Sequence, residues 1–484
     1  MSISFGTDGW RGIIAKDYTF DNLARVADST ARYLKSEDRK NLDIYKEKNV
    51  EYREASEGVI IGYDCRFLSE EFALTSARVL QKYDIPVKVS DEPVPTPALS
   101  YAVKKEEAAG GIMITASHNP PNYNGFKFKY EVAASAPPVV TDQIEKKLID
   151  TPPEFDDQLN TERVDISSPY IEELTRLIDG KKLKENPVLP VIDPMYGSAR
   201  NFTEKVLDRF GISSVQIRDE NNPGFNGIHP EPLEKYLKPL KKEINKQAGE
   251  TEKNIVGVVT DGDGDRVSAM DENGAFVDSH RTFSLVMKYL AEERNWKGKA
   301  VKNFPLTDMI FKLGEKNDIQ VDETPVGFKY IGDKMIKEDV MIGGEESGGI
   351  GIKNHIPERD GVLCSLLLLE MVAWHGKPIS KLVEDLMEEV GHHYYHRNDI
   401  SFDKRKEVVE MITKEPPERI GDFEVKSVET LDGVKLRFDD GWLLLRPSGT
   451  EPLLRIYCEM SEKKKVRKIL DQAENYAREL VGGN

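Results

Sequence analysis

Short apolar runs that stop at glycine-, proline- or aspartate-rich turns recur along most of this 484-residue chain, and amphipathic stripes separate them. Buried strands are expected at Val59–Tyr63, Val87–Val89, Gly111–Ile114, Val188–Ile192, Ser214–Ile217, Ile255–Val259 and Val340–Ile342. Helices are expected between them. The first carries Leu23, Val26, Ala27, Thr30 and Leu34 on one stripe; later ones span Ser69–Tyr83 with Ser69 as N-cap, Ala98–Lys105, Ser198–Phe210 and Val362–Trp374. Such alternation specifies α/β layers, with helices covering a sheet. Thr151–Asp165, rich in proline and aspartate, reads as a linker, after which Ser168 and Pro169 read as the N-cap and first residue of a new helix. Ser36–Glu57 is dense in charge and weakly periodic, and reads as a surface insertion, helical in part, with no catalytic content. From near Lys377 the pattern changes to a helix, a sheet with turns at Asp432-Gly433 and Asp440-Gly441, and a terminal helix. Four domains follow, with boundaries at 1–160, 161–254, 255–376 and 377–484.

Composition narrows the partners. The chain has 68 basic and 85 acidic residues, a net charge of −17, and its basic residues are scattered. No continuous basic face is available for nucleic acid. A few local cations can still hold a phosphate. The longest apolar run, Leu366–Leu369, is too short to span a bilayer, and no secretory leader is visible. Cys65, Cys364 and Cys458 lie far apart without metal-ligand spacing, which suits a reducing, cytoplasmic setting. His392, His393 and His396 fall in an expected strand, Tyr394–Ile400, without acidic partners close in sequence, and read as structural.

Chemistry concentrates in the loops. Thr115-Ala116-Ser117-His118-Asn119-Pro120-Pro121 follows a buried strand, and the two prolines fix its backbone, so Ser117 is a hydroxyl held in a rigid loop. Asp261-Gly262-Asp263-Gly264-Asp265-Arg266 places three carboxylates at alternate positions. Like charges this close repel unless a cation sits among them, and hard oxygen ligands favour Mg²⁺ or Ca²⁺. The spacing imitates an EF-hand loop with Glu272 twelfth, but Arg266 stands where that loop needs glycine and a strand flanks it. Gly343–Gly349 offers Glu345 and Ser347 among glycines, an acceptor and a donor for vicinal hydroxyls. Arg446-Pro447-Ser448-Gly449-Thr450 reads as an anion nest, with Arg455 as a second guanidinium, and Gly6–Gly12 with Arg11 as another phosphate loop.

Taken together, these loops resemble those of the α-D-phosphohexomutase superfamily, the phosphoglucomutase/phosphomannomutase enzymes. The resemblance spans essentially the whole chain. It implies three similar α/β domains with mixed sheets and a C-terminal α+β domain like the TATA-binding-protein fold, around a central cleft. Repetition among the first three domains rests on the resemblance alone. The resemblance assigns Ser117 as the phosphoserine and Asp261, Asp263 and Asp265, with a phosphoserine oxygen, as Mg²⁺ ligands. It assigns Glu345 and Ser347 to sugar hydroxyls, and Arg446, Ser448, Gly449 and Thr450, joined by Arg455, to the non-reacting phosphate. Lys127, His118, Arg11 and Arg266 would surround the transferred group, Lys127 being the first choice of base and His118 the second. Lys329 would contact the phosphosugar. The implied reaction interconverts glucose 1-phosphate and glucose 6-phosphate through a hexose 1,6-bisphosphate, in a monomer or homodimer. Phosphomannomutase or dual specificity is the alternative, then phosphoglucosamine mutase. Gly349 stands where many mannose- and glucosamine-type enzymes carry histidine, whereas Lys329 and Gly344–Ser347 lean towards glucose. A metal-dependent phosphatase would have no use for the second phosphate loop.

Overall fold

The computed structural model describes residues 3–6, 9–46, 50–449 and 452–482. Its contacts divide the chain into two compact units, Met1–Val301 with Gly327–Leu382, and Lys302–Val326 with Val383–Asn484.

The first unit opens with six strands, β1 (Trp10–Ile13), β2 (Val59–Tyr63), β3 (Val87–Ser90), β4 (Gly110–Ile114), β5 (Tyr123–Lys129) and β6 (Glu162–Val164). They form one sheet in the order β1-β5-β4-β2-β3-β6. Strands β4, β2, β3 and β6 run parallel, while β5 is antiparallel to both β4 and β1. Every residue of β2 and β4 is buried, as expected of strands covered on both faces, which explains their unbroken apolar runs. Strand β6 lies inside the stretch read as a linker. Its Glu162 and Arg163 are exposed on the sheet edge, where charge discourages further pairing and hides the strand signal.

Three expected helix starts also shift. Ser69 is not a cap: Leu68, with φ 60°, precedes the helix Ser69–Gln81, and the Ser69 hydroxyl donates to Asp64 Oδ1 at 2.8 Å. Ser168 and Pro169 lie inside a helix that already begins at Ser167. The helix expected from Ser198 starts at Phe202; Ser198 instead turns both its N–H and its hydroxyl to the carbonyl of Gly262. The insertion forms short 3₁₀ turns, Glu37–Asn41, Asp43–Lys46 and Ala55–Glu57, and it is anchored by a buried arginine. Arg39 pairs with Glu131 and donates to the carbonyls of Arg53 and Ala109.

The second sheet is built from β7 (Val188–Asp193), β8 (Val215–Gln216), β9 (Asn254–Thr260), β10 (Val267–Met270) and β11 (Phe276–Val277), in the order β11-β10-β9-β7-β8. Here too a parallel set, β9-β7-β8, carries an antiparallel addition, β10 on β9. Next along the chain come β12 (Lys299–Asn303), which crosses the division at Val301, then helix Met309–Asn317 and β13 (Val321–Thr324), which fall in the second unit, and then helix Phe328–Lys337, β14 (Val340–Gly344) and β15 (Ile350–Ile352), which return to the first. Strand β15 returns antiparallel on β14. Thus β4, β9 and β14 each end in a loop that returns as an antiparallel neighbour, and these three loops are the serine, aspartate and Glu345 loops. Helix Gly361–His375 is buried almost throughout and packs on β7, β9 and β10. Among the described residues no single helix is long and apolar enough to cross a membrane.

The second unit contains β16 (Tyr394–Ser401), the short hairpin β17 (Arg419–Ile420) and β18 (Phe423–Glu424), then β19 (Ser427–Glu429), β20 (Val434–Phe438), β21 (Gly441–Pro447) and β22 (Leu453–Met460). Its main sheet is antiparallel, β16-β22-β21-β20-β19. Helices Arg405–Lys414 and Lys463–Leu480 share a core with one face of it. Phe304, from the discontinuous segment, packs with Trp442, Leu444 and Tyr457. The fully buried Lys435 donates to the carbonyl of Phe304 at 2.6 Å and sits 3.8 Å from the centre of its ring. His393 does find an acidic partner: its Nδ1 lies 2.8 Å from Glu459 Oε1, a long-range contact that local spacing could not show.

Candidate active site

The serine loop is set by its neighbours. Ser117 has φ 51°, a left-handed conformation costly for a side chain other than glycine, asparagine or aspartate. Thr115 Oγ1 accepts from Ser117 N–H at 2.9 Å and donates to Asp64 Oδ2 at 2.6 Å. Arg66 then fixes the loop from below. Its guanidinium donates to the carbonyls of Ser117, Asn119, Pro120 and Tyr123 at 2.6 to 3.1 Å, while its Nε pairs with Asp64. Sequence reasoning missed Asp64 and Arg66. The signal available was their position just past the buried strand Val59–Tyr63, where α/β folds gather ligand groups.

The aspartate loop meets this serine directly. Ser117 Oγ donates to Asp261 Oδ2 at 2.8 Å, and the ring Nδ1 of His118 lies 3.3 Å from the same hydroxyl. Asp261 Oδ1 accepts from the backbone N–H groups of Asp265 and Arg266. Lys127 Nζ, from β5, lies 2.8 Å from Asp263 Oδ2 and 3.4 Å from Asp265 Oδ2. Thr96, another residue missed in the sequence, donates to Asp263 Oδ2 at 2.7 Å and through its N–H to the Asp263 carbonyl. Arg11 Nη1 donates to Asn119 Oδ1 at 2.7 Å, and Arg266 reaches Glu231 at 3.3 Å and Asp261 at 3.9 Å.

Electrostatics follow from burial. The three aspartates are fully buried and their ligand oxygens lie within 4.8 Å of one another. Burial, then Asp263 and Asp265, push the Asp261 carboxyl far above the usual carboxylate range. At Asp263 burial acts in the same direction, but the Lys127 ammonium and the Thr96 hydroxyl outweigh it and hold that group low. Burial, followed by Arg266, Arg11, Lys127 and Arg66, drives His118 well below its ordinary value, so its ring is neutral. A divalent cation fits this donor set. Oδ1 of Asp263 and Oδ1 of Asp265 are buried without a hydrogen-bond donor among the described residues, and all three ligands are hard oxygens. Among the described residues this is the one cluster of acidic, histidine or cysteine side chains that could hold a metal.

The third loop adjoins the second. Val267 N–H donates to the Gly348 carbonyl, and Arg266 and Gly349 form a β-bridge. Glu345 is buried, its Oε1 accepts from Gly327 N–H at 3.0 Å, and burial lifts its carboxyl to about 7 against the pull of Arg359. Ser347 is half-buried in the same turn. Lys329 stands in the first turn of the helix that Gly327 precedes. Ser117, His118, Lys127, Arg11, the three aspartates, Arg266 and Glu345 are therefore gathered in the first unit.

Ser347 and Lys329 belong to the same unit, and the expected residues of the phosphate loop lie in the second. Arg446 and Arg455 face each other across β21 and β22, and Arg446 Nε donates to Asp432 Oδ2 at 2.9 Å. Ser448 is buried, its N–H bonds to the Leu453 carbonyl, and Gly449 has open space around its Cα. Thr450 lies outside the described residues.

Four consecutive segments match models of one family. Residues 2–152, 168–274 and 278–390 match phosphoglucomutase/phosphomannomutase alpha/beta/alpha domains I, II and III, and 403–475 match the C-terminal domain. The chain belongs to the phosphoglucomutase/phosphomannomutase family. A phosphoglucomutase/phosphomannomutase of Thermococcus kodakarensis is 30% identical over 492 residues, 100% of both proteins. A phosphoglucosamine mutase of Caldicellulosiruptor bescii is 29% identical over 483 residues, 97% of each. A crystal structure of a putative phosphomannomutase from Thermus thermophilus superposes with a TM-score of 0.84 at 34% identity, covering 100% of both chains. This phosphohexomutase thus has the expected architecture, three mixed α/β domains and a C-terminal antiparallel-sheet domain. It is an isomerase of the phosphoryl-transfer type by family.

Proposed function

We propose that the protein is a phosphoglucomutase, interconverting glucose 1-phosphate and glucose 6-phosphate through a phosphorylated Ser117 and a 1,6-bisphosphate. The observation that carries the mutase reading is the direct contact between a loop-borne serine and a carboxylate of a buried aspartate triplet. A sugar hydroxyl attacks the phosphorus on Ser117, the bond to the serine oxygen breaks, and the proton of the attacking hydroxyl passes through a base to the leaving serine oxygen. The bisphosphate then turns and returns its other phosphate to Ser117. Phosphoryl transfer depends on alignment and charge balance more than on covalent activation. Arg11, Arg266 and Lys127 supply the positive field around the transferred group.

We place His118 ahead of Lys127 as the base, reversing the order taken from the sequence, on geometry: its Nδ1 lies 3.3 Å from Ser117 Oγ, whereas Lys127 is paired with two carboxylates. Asp261, Asp263 and Asp265 would hold Mg²⁺, which when bound lowers the charge that a phosphoserine brings to this pocket. Glu345 and Ser347 read hydroxyls, Lys329 contacts the phosphosugar, and Arg446, Ser448, Gly449, Thr450 and Arg455 grip the non-reacting phosphate. The domain divisions at 160, 254 and 376, a cytoplasmic location and a monomer or homodimer complete the reading.

Support for glucose comes from Lys329 and from Gly349, which offers no side chain to the sugar. Coupled assays with glucose, mannose and glucosamine 1-phosphates test it, and a clear preference for either of the latter two would replace glucose. Ser117→Ala should lose the added phosphate by intact mass and fall in turnover by at least about 10³-fold while melting normally, as expected when a nucleophile is removed. Near-normal turnover in that variant would rule out the phosphoserine route.

A further inference from the structure

Arg359 occupies a place that a side chain at residue 349 would otherwise take. A Cβ added at Gly349 would come within 2.2 Å of Arg359 Cδ and 2.8 Å of its Cγ. Crossing there, the guanidinium lies between two loops. Its Nη2 is 2.8 Å from Asp265 Oδ2, its Nη1 is 3.5 Å from Glu345 Oε2, and its Nε is 3.3 Å from Glu358 Oε1. The Phe328 ring packs 5.5 Å from the guanidinium carbon. Glu358 is itself held from the first domain, by Lys129 Nζ and by Ser135 Oγ at 2.6 Å. The next residues are equally confined. Gly361 N–H donates to the Gly264 carbonyl, and a Cβ on Gly361 would meet the Arg266 carbonyl. Arg359 therefore cannot drift without moving the aspartate loop or the Glu345 loop.

We propose that Arg359, admitted by the bare Gly349, is a positioning residue that couples Asp265 to Glu345, so that hydroxyl recognition and cation binding are read together. The inference rests on the phosphohexomutase reading, in which Asp265 is a metal ligand and Glu345 meets the sugar. Arg359 gives a separate terminal nitrogen to each of the two carboxylates, a span that the single nitrogen of a lysine does not reproduce. Coupling between two sites is reciprocal, so it can be measured from either ligand.

The test is Mn²⁺ binding by titration calorimetry, with and without saturating glucose 6-phosphate, beside mutase assays and melting curves. In the unaltered enzyme glucose 6-phosphate should change the Mn²⁺ Kd by roughly fivefold or more, the lower end of ordinary site-to-site coupling. In Arg359→Lys, which keeps the charge, that factor should fall towards one. Gly349→Ala should reproduce this loss by displacing the arginine, and adding Gly349→Ala to Arg359→Ala should change nothing further. Should Arg359→Ala fail to fold, Arg359→Lys and Gly349→Ala still decide the matter. Unchanged coupling in Arg359→Lys, or fully additive effects in the double variant, overturns the proposal alone. Absence of turnover in the unaltered enzyme sinks the mutase reading and the proposal with it.

Discussion

At the scale of single residues, the site is a problem of placing charge without water. Glu345 illustrates the result. Burial lifts its carboxyl to about 7, so near neutrality it passes between an acceptor-only carboxylate and a form with one oxygen protonated. As an acid with a raised value it ionises as pH rises through about 7 and loses acceptor capacity as pH falls. KM for glucose 1-phosphate should therefore rise as pH drops from about 8 to about 6, with kcat changing less. Glu345→Gln should flatten that dependence; an unaltered profile in the variant would place the titration elsewhere, for instance on the substrate phosphate. Ser117 illustrates backbone placement. Its left-handed conformation is poorly tolerated by β-branched residues, so Ser117→Thr should not rescue turnover although it supplies an alcohol. Ser117 and the three aspartates stood out in the sequence as candidates, the one because two prolines pin its loop and the others because three carboxylates so close repel. Arg66 and Arg359 did not: each is one arginine among many, and its meaning lies in partners such as Ser117, Asn119, Asp265 and Glu345 that are distant along the chain.

At the scale of elements, three strand-loop-strand turns hold most of the candidate site, and glycine lets them approach. Gly262 is one such case, against backbone. A Cβ there would come within 2.5 Å of the Ser117 carbonyl oxygen and 2.9 Å of Pro230 Cγ. Both obstacles are rigid, so the loops must separate. Gly262→Ala is expected to lower kcat/KM by about 10²-fold, the order of loss for a displacement near 1 Å in a reacting geometry. The melting temperature should change little, because the core strands β4 and β9 are untouched. Equal loss of stability and activity would show that the loop contact supports the fold rather than the reaction. The strands themselves were readable from their apolar runs. Helix starts at Ser69 and Ser198 were not, because each serine has a tertiary use, to Asp64 and to Gly262, that outcompetes capping. The edge strand β6 was missed because its alternating charges read as linker.

At the scale of the whole molecule, the α/β alternation and the change of pattern near residue 377 were legible, but the membership of the compact units was not. Nothing local marks Lys302–Val326 as belonging with the C-terminal sheet. Lys435 explains why it does: its ammonium donates to the Phe304 carbonyl and lies over the Phe304 ring, and Glu323 and Lys302 share its surroundings. Lys435→Ala leaves that cluster unbalanced. It should destabilise the second unit by roughly 3 kcal/mol, the scale for breaking a buried ion pair. Calorimetry should resolve this as a lowered transition for one unit, while Mg²⁺ binding to the first stays unchanged. A uniform shift of all unfolding would mean the two units melt as one. The discontinuity has a consequence for synthesis. As the chain leaves the ribosome, Lys302–Val326 emerges long before β21 and β22, so Phe304 has no Trp442 or Tyr457 to cover it until almost the last strand is made. The final stage of translation therefore completes a body begun near residue 302, and a chain stopped short of Met460 leaves that early segment without its partner.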